Sequence, residues 1–289
     1  MLSYQHGFHA GNAADLLKHL VLVNVLAYMV KKDKPLVYVD THAGSGGYSL
    51  ADAQAQKTLE FKQGIGQLWA LPEQAWSPSI KAYLEVVSAF EQQARQLTQQ
   101  QVSGRFYPGS PAIAQHCLRD IDRLVAYELH PQAFSQLQAH TATDRRVKIY
   151  QQNGFQGLIA QVPPKERRGV ILIDPPYELK QDYDEVVTRL LAAYKRFATG
   201  TYLVWYPVVE RRRIDKIWRD LKASGIRNVA VFELGWQADN PGRGMTASGM
   251  IVINPPWTLM ATMQQDLALL KSLVATEQGF WQADMLAAE

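Results

Sequence analysis

Residues Gly169-Val170-Ile171-Leu172-Ile173-Asp174-Pro175-Pro176-Tyr177 decide how this chain is read. An unbroken apolar run rich in β-branched residues fits a strand buried on both faces, which is the mark of a parallel sheet covered by helices. The run stops at an acid and two prolines. Proline lacks the amide hydrogen that a central strand needs, so the strand ends there. Asp174 is thereby delivered to the carboxyl edge of the sheet, where open α/β sheets bind their ligands.

Working outward, six similar runs flank this one, at 36–40, 123–129, 147–152, 201–205, 228–234 and 249–253. Helical periodicity fills the intervals at 14–31, 111–120, 131–139, 183–197, 209–224 and 259–273. The last two runs are joined by the turn-rich segment 237–248, which has no room for a helix, so those strands should pair antiparallel. The pattern predicts the class I S-adenosylmethionine-dependent methyltransferase form of the Rossmann-like sheet: seven strands, the last antiparallel. One interval, 41–122, is too long for a single crossover. Its helical patterns at 59–71 and 79–100, ending in the glutamine-rich stretch 92–101, predict a helical insertion subdomain at 51–101 within a single domain spanning 1–289.

The first strand is followed by Asp40-Thr41-His42-Ala43-Gly44-Ser45-Gly46-Gly47, which resembles the acidic, glycine-rich turn that opens class I methyltransferases, with His42 in place of the first glycine. Glycines such as Gly44 and Gly46 let backbone turn sharply and approach a cofactor. The second strand ends at Glu128, where an acid can bond both hydroxyls of a ribose. The third runs into Asn153-Gly154, at the edge where the adenine of S-adenosylmethionine sits in this fold. Asn153 keeps a carbonyl acceptor for the adenine amine, and Asn-Gly is equally a good turn.

The tetrapeptide Asp174-Pro175-Pro176-Tyr177 resembles the (Asp/Asn/Ser)-Pro-Pro-(Tyr/Phe/Trp) motif of amino-group methyltransferases. An exocyclic amine conjugated to an aromatic ring is a poor nucleophile, because its lone pair is delocalised. A carboxylate and a fixed carbonyl accepting its two N–H bonds favour a tetrahedral nitrogen. Pro175 and Pro176 stiffen the turn, and Tyr177 is expected to stack on the base. A sulfonium donor needs no metal. The sequence carries its own control, Asn254-Pro255-Pro256-Trp257 after the seventh strand, which is expected to be structural because that strand should pair near the far edge.

Composition narrows the class further. With 47% apolar and 20% charged residues the chain is globular, and its single cysteine, Cys117, permits no internal disulfide. The N-terminus has no basic-then-apolar signal, and no apolar run is long enough for a membrane span, so a cytoplasmic protein is expected. A net charge of +3 does not by itself imply nucleic acid. Local basic clusters stand at 145–146, 165–168, 195–196 and 211–213.

The whole chain resembles the bacterial 23S ribosomal RNA adenine-N6 methyltransferase J (RlmJ) family. The resemblance is carried by Tyr4-Gln5-His6-Gly7-Phe8-His9-Ala10-Gly11-Asn12 with Asp15 and Lys18-His19, by the glycine turn at Asp40, by Tyr107-Pro108-Gly109-Ser110-Pro111, by Asp174-Pro175-Pro176-Tyr177, by Trp205-Tyr206-Pro207 and by Gly244-Met245-Thr246-Ala247-Ser248-Gly249. It implies methylation of one adenine in the peptidyl-transferase region of 23S ribosomal RNA, free or in an assembling large subunit, by a monomer with no protein partner. By matched position it places Lys18, His19, His42, Ser110, Glu128, Asn153, Gly154 and Asp174 around the cofactor and Tyr4 near the substrate entrance. Gln5, Ala13 and Asn153 depart from the family pattern. Trp205 and Tyr206 are candidates to help hold the base, or simply core. The rival readings are another amino acceptor, such as DNA adenine, cytosine N4 or a protein amide; a nicotinamide oxidoreductase; and a non-catalytic RNA-binding assembly protein.

Overall fold

The computed structural model describes residues 4–97, 104–239 and 244–288. In chain order its elements begin with α1 (Ala13–Met29), β1 (Val37–Asp40), β2 (Gly47–Ser49), α2 (Ala53–Thr58), α3 (Ile65–Ala70), α4 (Pro78–Leu97), β3 (Phe106–Pro108) and α5 (Ser110–Cys117). They continue with β4 (Arg123–Tyr127), α6 (Pro131–Thr141), β5 (Val147–Tyr150), α7 (Gly154–Gln161), β6 (Gly169–Ile173), α8 (Asp182–Arg196) and β7 (Thr201–Val208). Last come α9 (Arg211–Ala223), β8 (Val229–Gly235), β9 (Ala247–Ile253), α10 (Leu259–Val274) and β10 (Phe280–Ala287).

The apolar run that opened the sequence reading becomes β6, buried along its whole length and paired in parallel with β1 and β7. The sheet order is β10-β8-β9-β7-β6-β1-β4-β5. Chain order reverses between β1 and β6, and that switch point opens the crevice at the carboxyl edge. β8 and β9 pair antiparallel, as their short link requires. This is the class I methyltransferase sheet with one strand more than expected: eight, not seven. The addition, β10, pairs antiparallel with β8 at the edge, and its Gln282 and Asp284 interrupt the apolar run. An edge strand half open to water shows alternation rather than a continuous run, so a search for apolar runs passes over it. A second correction concerns β9, which lies between β7 and β8 rather than near the far edge.

Helices cover both faces and create two core layers. One joins α1, α4, α5 and α10 to the sheet through residues such as Leu20, Leu22, Tyr83, Ile113 and Leu267. The other joins α7, α8 and α9 through Leu158, Val186, Leu190 and Ile217. α1 is buried nearly all round, because α4, α5, α10 and β9 all pack on it. Truncating a fully buried leucine there to alanine should cost about 2–5 kcal/mol.

The expected helix at 59–71 is broken. Residues Glu60–Gln63 form a 3-10 turn and α3 follows, because Gly64 passes so close to the first loop that a Cβ would sit 2.0 Å from the Gly11 carbonyl oxygen. α4 ends at Leu97, and the glutamine-rich residues 98–101 lie outside the described residues. The segment is entered and left through a short antiparallel ribbon, β2 with β3. Among the described residues no helix is long and apolar enough to cross a membrane.

Candidate active site

The loops leaving β1, β4, β5 and β6, with Trp205 on β7, surround one cavity of about 640 Å³, a size suited to a small ligand. Its wall includes Lys18, His19, His42, Gly44, Ser110, Glu128, Asn153, Gly154, Asp174, Pro175, Pro176 and, at the mouth, Tyr4. Gly46 and Tyr177 are not on it.

One side gathers hydrogen-bond acceptors and glycine turns. Glu128 follows β4 and is held by its neighbours: the Gly44 amide donates to Oε2 at 2.8 Å and the His130 amide to Oε1 at 2.6 Å. Each oxygen keeps a free lone pair for a ribose hydroxyl. Gly44 and Gly46 have φ of 62° and 79°, the left-handed region that favours glycine. Gly46 acts from behind, accepting the Gly109 amide and so tying this turn to the start of α5. Across the cavity, Gly154 passes so near β1's exit loop that a Cβ would lie 1.7 Å from the Thr41 carbonyl oxygen. Asn153 caps α7 by accepting the Gln156 amide at 3.2 Å, which leaves its oxygen one lone pair toward the cavity. His42 packs edge-on against Phe155. Asp40, fully buried behind the wall, accepts hydroxyl bonds from Tyr38 at 2.8 Å and Ser110 at 2.7 Å; burial pushes its carboxyl up to about 6, although both hydroxyls oppose the shift. Burial likewise pushes the His19 imidazole down to about 3, keeping it neutral, with its Nδ1 paired to the Tyr107 hydroxyl at 2.8 Å.

The other side is ionic. Lys18 Nζ lies 2.8 Å from Asp174 Oδ2 and 2.9 Å from Asp15 Oδ1. Asp15 Oδ2 in turn meets His6 Nε2 at 3.0 Å, and His6 Nδ1 meets the Tyr4 hydroxyl at 2.8 Å. A hydrogen-bonded chain thus runs from the catalytic-motif carboxylate to the mouth. Burial alone would push the Lys18 ammonium toward neutrality, but Asp15 and Asp174 outweigh it and hold the pKa well above the ordinary lysine value. For Asp15, burial is overcome by its interactions with His6 and Lys18, the His6 hydrogen bond included, and its carboxyl stays well below the usual range. α1 forms where it does because Asn12 caps it, accepting the Asp15 amide at 3.0 Å.

Tyr177 takes a position other than the stacking one expected of it. Its φ of 51° turns the ring inward, where it tilts against Tyr183 at 4.6 Å and donates its hydroxyl to the Trp205 carbonyl at 2.6 Å. A buried phenol needs such an acceptor. Trp205 puts an aromatic ring on the cavity wall, as Tyr4, Tyr48 and Phe155 do: its Nε1 donates to Ser248 Oγ at 2.7 Å and Lys18 Nζ stands 5.7 Å from its centroid. Tyr206 is fully buried, donating to Glu233 at 2.9 Å. Asn254 lies at the opposite end of the sheet, and its amide donates to the Ala198 and Gly200 carbonyls at 2.8 Å each, a structural turn remote from the cavity.

Sequence reasoning alone gave no reason to single out Asp15 or His6 as partners of Asp174. Their one local signal is the capping spacing of Asn12 and Asp15; the rest depends on α1 packing beside β6. None of the four basic clusters lines the cavity; in the cluster 211–213, Arg211 is paired with Glu233 and Asp239 at 2.7 Å each.

Comparison with known proteins agrees with this geometry. The model of a family described as "Ribosomal RNA large subunit methyltransferase D, RlmJ" matches residues 33–287. A Haemophilus influenzae protein named ribosomal RNA large subunit methyltransferase J is 46% identical over 293 residues, covering 100% of both chains. An Escherichia coli protein of the same name is 46% identical over 94% of each chain. A crystal structure of a Legionella pneumophila protein superposes with a TM-score of 0.85 at 34% identity, covering 96% of this chain and 98% of that one.

Proposed function

The chain belongs to the ribosomal RNA large subunit methyltransferase J family, and from that premise we propose that it transfers the methyl group of S-adenosylmethionine to the N6 amine of one adenine in 23S ribosomal RNA. The observation that carries this reading is the carboxylate of Asp174, which reaches the same cavity as the ribose-binding Glu128. Residues 1–289 act as one methyltransferase domain with its helical insertion at 51–101, and the protein works as a cytoplasmic monomer.

The residues present fit the cofactor. Glu128 offers free lone pairs for two ribose hydroxyls, and Gly154, having no side chain, lets the exit loops of β1 and β5 meet beside Thr41 more closely than any other residue would allow. When bound, S-adenosylmethionine supplies an electrophilic sulfonium methyl. Asp174 accepts one N–H of the target amine, and the Pro175 carbonyl, fixed by the two prolines, accepts the other. Together they draw the nitrogen toward tetrahedral geometry before transfer. Lys18 bonds Oδ2 of Asp174, which leaves Oδ1 to receive the incoming amine. After transfer, the surplus proton leaves toward Asp174, which the Lys18 and Asp15 pair connects to His6 and the mouth. The indole of Trp205 gives the splayed base an apolar wall.

The test is transfer of labelled methyl to protein-free, never-modified large-subunit RNA, followed by nucleoside analysis. N6-methyladenosine should be recovered, should vanish with Asp174→Ala while cofactor affinity changes by less than about tenfold, and should persist with Asn254→Ala. An active Asp174→Ala enzyme beside an inactive Asn254→Ala one would reverse the assignment.

A further inference from the structure

The edge of the sheet opposite the cavity gathers the connections that enter the parallel strands, at 31–34, 119–123, 144–146, 165–168 and 195–196, together with Arg227 ahead of β8. In these segments basic side chains outnumber acidic ones by thirteen to five, while the whole chain has a surplus of only +3. The rest of the molecule is therefore net acidic, and positive charge is concentrated on this edge. The acids present are largely consumed: Asp122 pairs with Arg119 at 2.9 Å, Glu166 with Arg123 at 3.1 Å and Asp144 with Arg146 at 2.7 Å. Burial and the nearby charge of Arg119 push the Arg168 guanidinium below its ordinary value, so like charges are held together here. Lys32, Lys34, Lys165, Lys195, Arg196 and Arg227 are exposed and have no salt bridge among the described residues.

The same edge carries the turn that the cavity does not use. Asn254 stands in the left-handed region at φ 54°, its amide tied to Ala198 and Gly200 and its own N–H bonded to the Asn228 carbonyl beside Arg227. Two prolines then stiffen the turn and present Trp257, which is 81% exposed. Tryptophan is seldom left so bare. An exposed ring on a rigid mount, flanked by unpaired cations, is the arrangement that binds unstacked bases and phosphates of single-stranded nucleic acid.

We infer that this edge is a second RNA-binding surface, on which Trp257 stacks against an unpaired base while the lysines and arginines of the flanking connections contact phosphates. The inference rests on RNA being the substrate. A five-residue strand such as β6 is roughly 17 Å long, so a long folded RNA can engage both edges at once and a short fragment held in the cavity cannot.

The experiment compares full-length unmodified large-subunit RNA with a short fragment carrying the target adenine, in wild type, Trp257→Ala, Trp257→Phe, Lys195→Glu/Arg196→Glu and Lys32→Glu/Lys34→Glu. KM for the long RNA should rise at least about tenfold in the alanine and charge-reversal variants with kcat unchanged, and the salt slope should shrink by about 0.7–0.9 per lost contact. KM for the fragment should not move, and Trp257→Phe should retain most of the affinity. An unchanged KM on the long RNA, or an equal rise on both RNAs, overturns the inference. Loss of binding to anionic phospholipid vesicles with unaltered RNA kinetics would also overturn it, in favour of a lipid surface. Failure of the wild type to methylate either RNA would instead sink the functional reading.

Discussion

Gly154→Ala is the substitution whose effect follows most directly from the coordinates. The added Cβ would lie 1.7 Å from the Thr41 carbonyl oxygen and 2.6 Å from its carbon. Both are backbone atoms, so no flexible side chain can give way, and the exit loops of β1 and β5 must separate by more than an ångström. Overpacking of this kind costs about 1–3 kcal/mol, which for a chain of this size is a fall in Tm of roughly 2–5 °C. Those two loops carry His42 and Asn153, both of which line the cavity. If the strain is relieved by parting the loops, rebinding the cofactor must restore it, and affinity should fall by about 5–150-fold. Isothermal titration with S-adenosylmethionine, together with thermal unfolding, measures both quantities. Asn153→Ala is the control, since it removes a cap worth about 1 kcal/mol and one acceptor but adds no bulk. Wild-type affinity in Gly154→Ala would refute the argument that this close approach shapes the cofactor site.

Lys18→Met should leave Asp15 and Asp174 facing each other without their shared cation; methyl transfer should drop at least about a hundredfold, with a smaller change in cofactor affinity, as single-turnover kinetics would reveal. His19 should make the protein acid-sensitive. Its folded-state pKa is pushed from 6.5 to about 3, so between those values the unfolded chain holds a proton that the folded one refuses. Stability is therefore full above about pH 6.5 and falls as pH drops. His19→Asn should flatten that decline in a Tm series from pH 7 to 4, and an unaltered slope would count against the reasoning. Arg211→Met should strand the fully buried Glu233 with, among the described residues, only the Tyr206 hydroxyl for company, at about 3–5 kcal/mol. Adding Glu233→Gln should recover most of the loss in denaturant unfolding.

The sheet and the position of Asp174 were legible because both depend on short-range pattern: a buried parallel strand is a continuous apolar run, and two prolines must end it. Glu128 and Gly44 could be placed for the same reason, each following a recognisable strand. β10 escaped because an edge strand shows its polar face, and the break at Gly64 escaped because its cause, the approach of the Gly11 carbonyl, lies far away in sequence. The ionic half of the site was legible only through family resemblance. Nothing local to Lys18 foretells a bond to Asp174; that contact exists because α1 packs against the sheet. The inward turn of Tyr177 likewise depends on an acceptor, the Trp205 carbonyl, contributed by the neighbouring strand.

The burial of α1 on all sides also has a consequence for how the enzyme is made. This helix leaves the ribosome long before β9 and α10, which cover it, have been translated. Until they emerge, the helix exposes Leu20, Leu22 and Leu26 to solvent or to chaperones. The same helix brings Asp15, Lys18 and His19 to the site. A nascent chain therefore cannot assemble a working centre beside the ribosome that is synthesising it. Activity begins only after β9 and α10 have folded back over that helix.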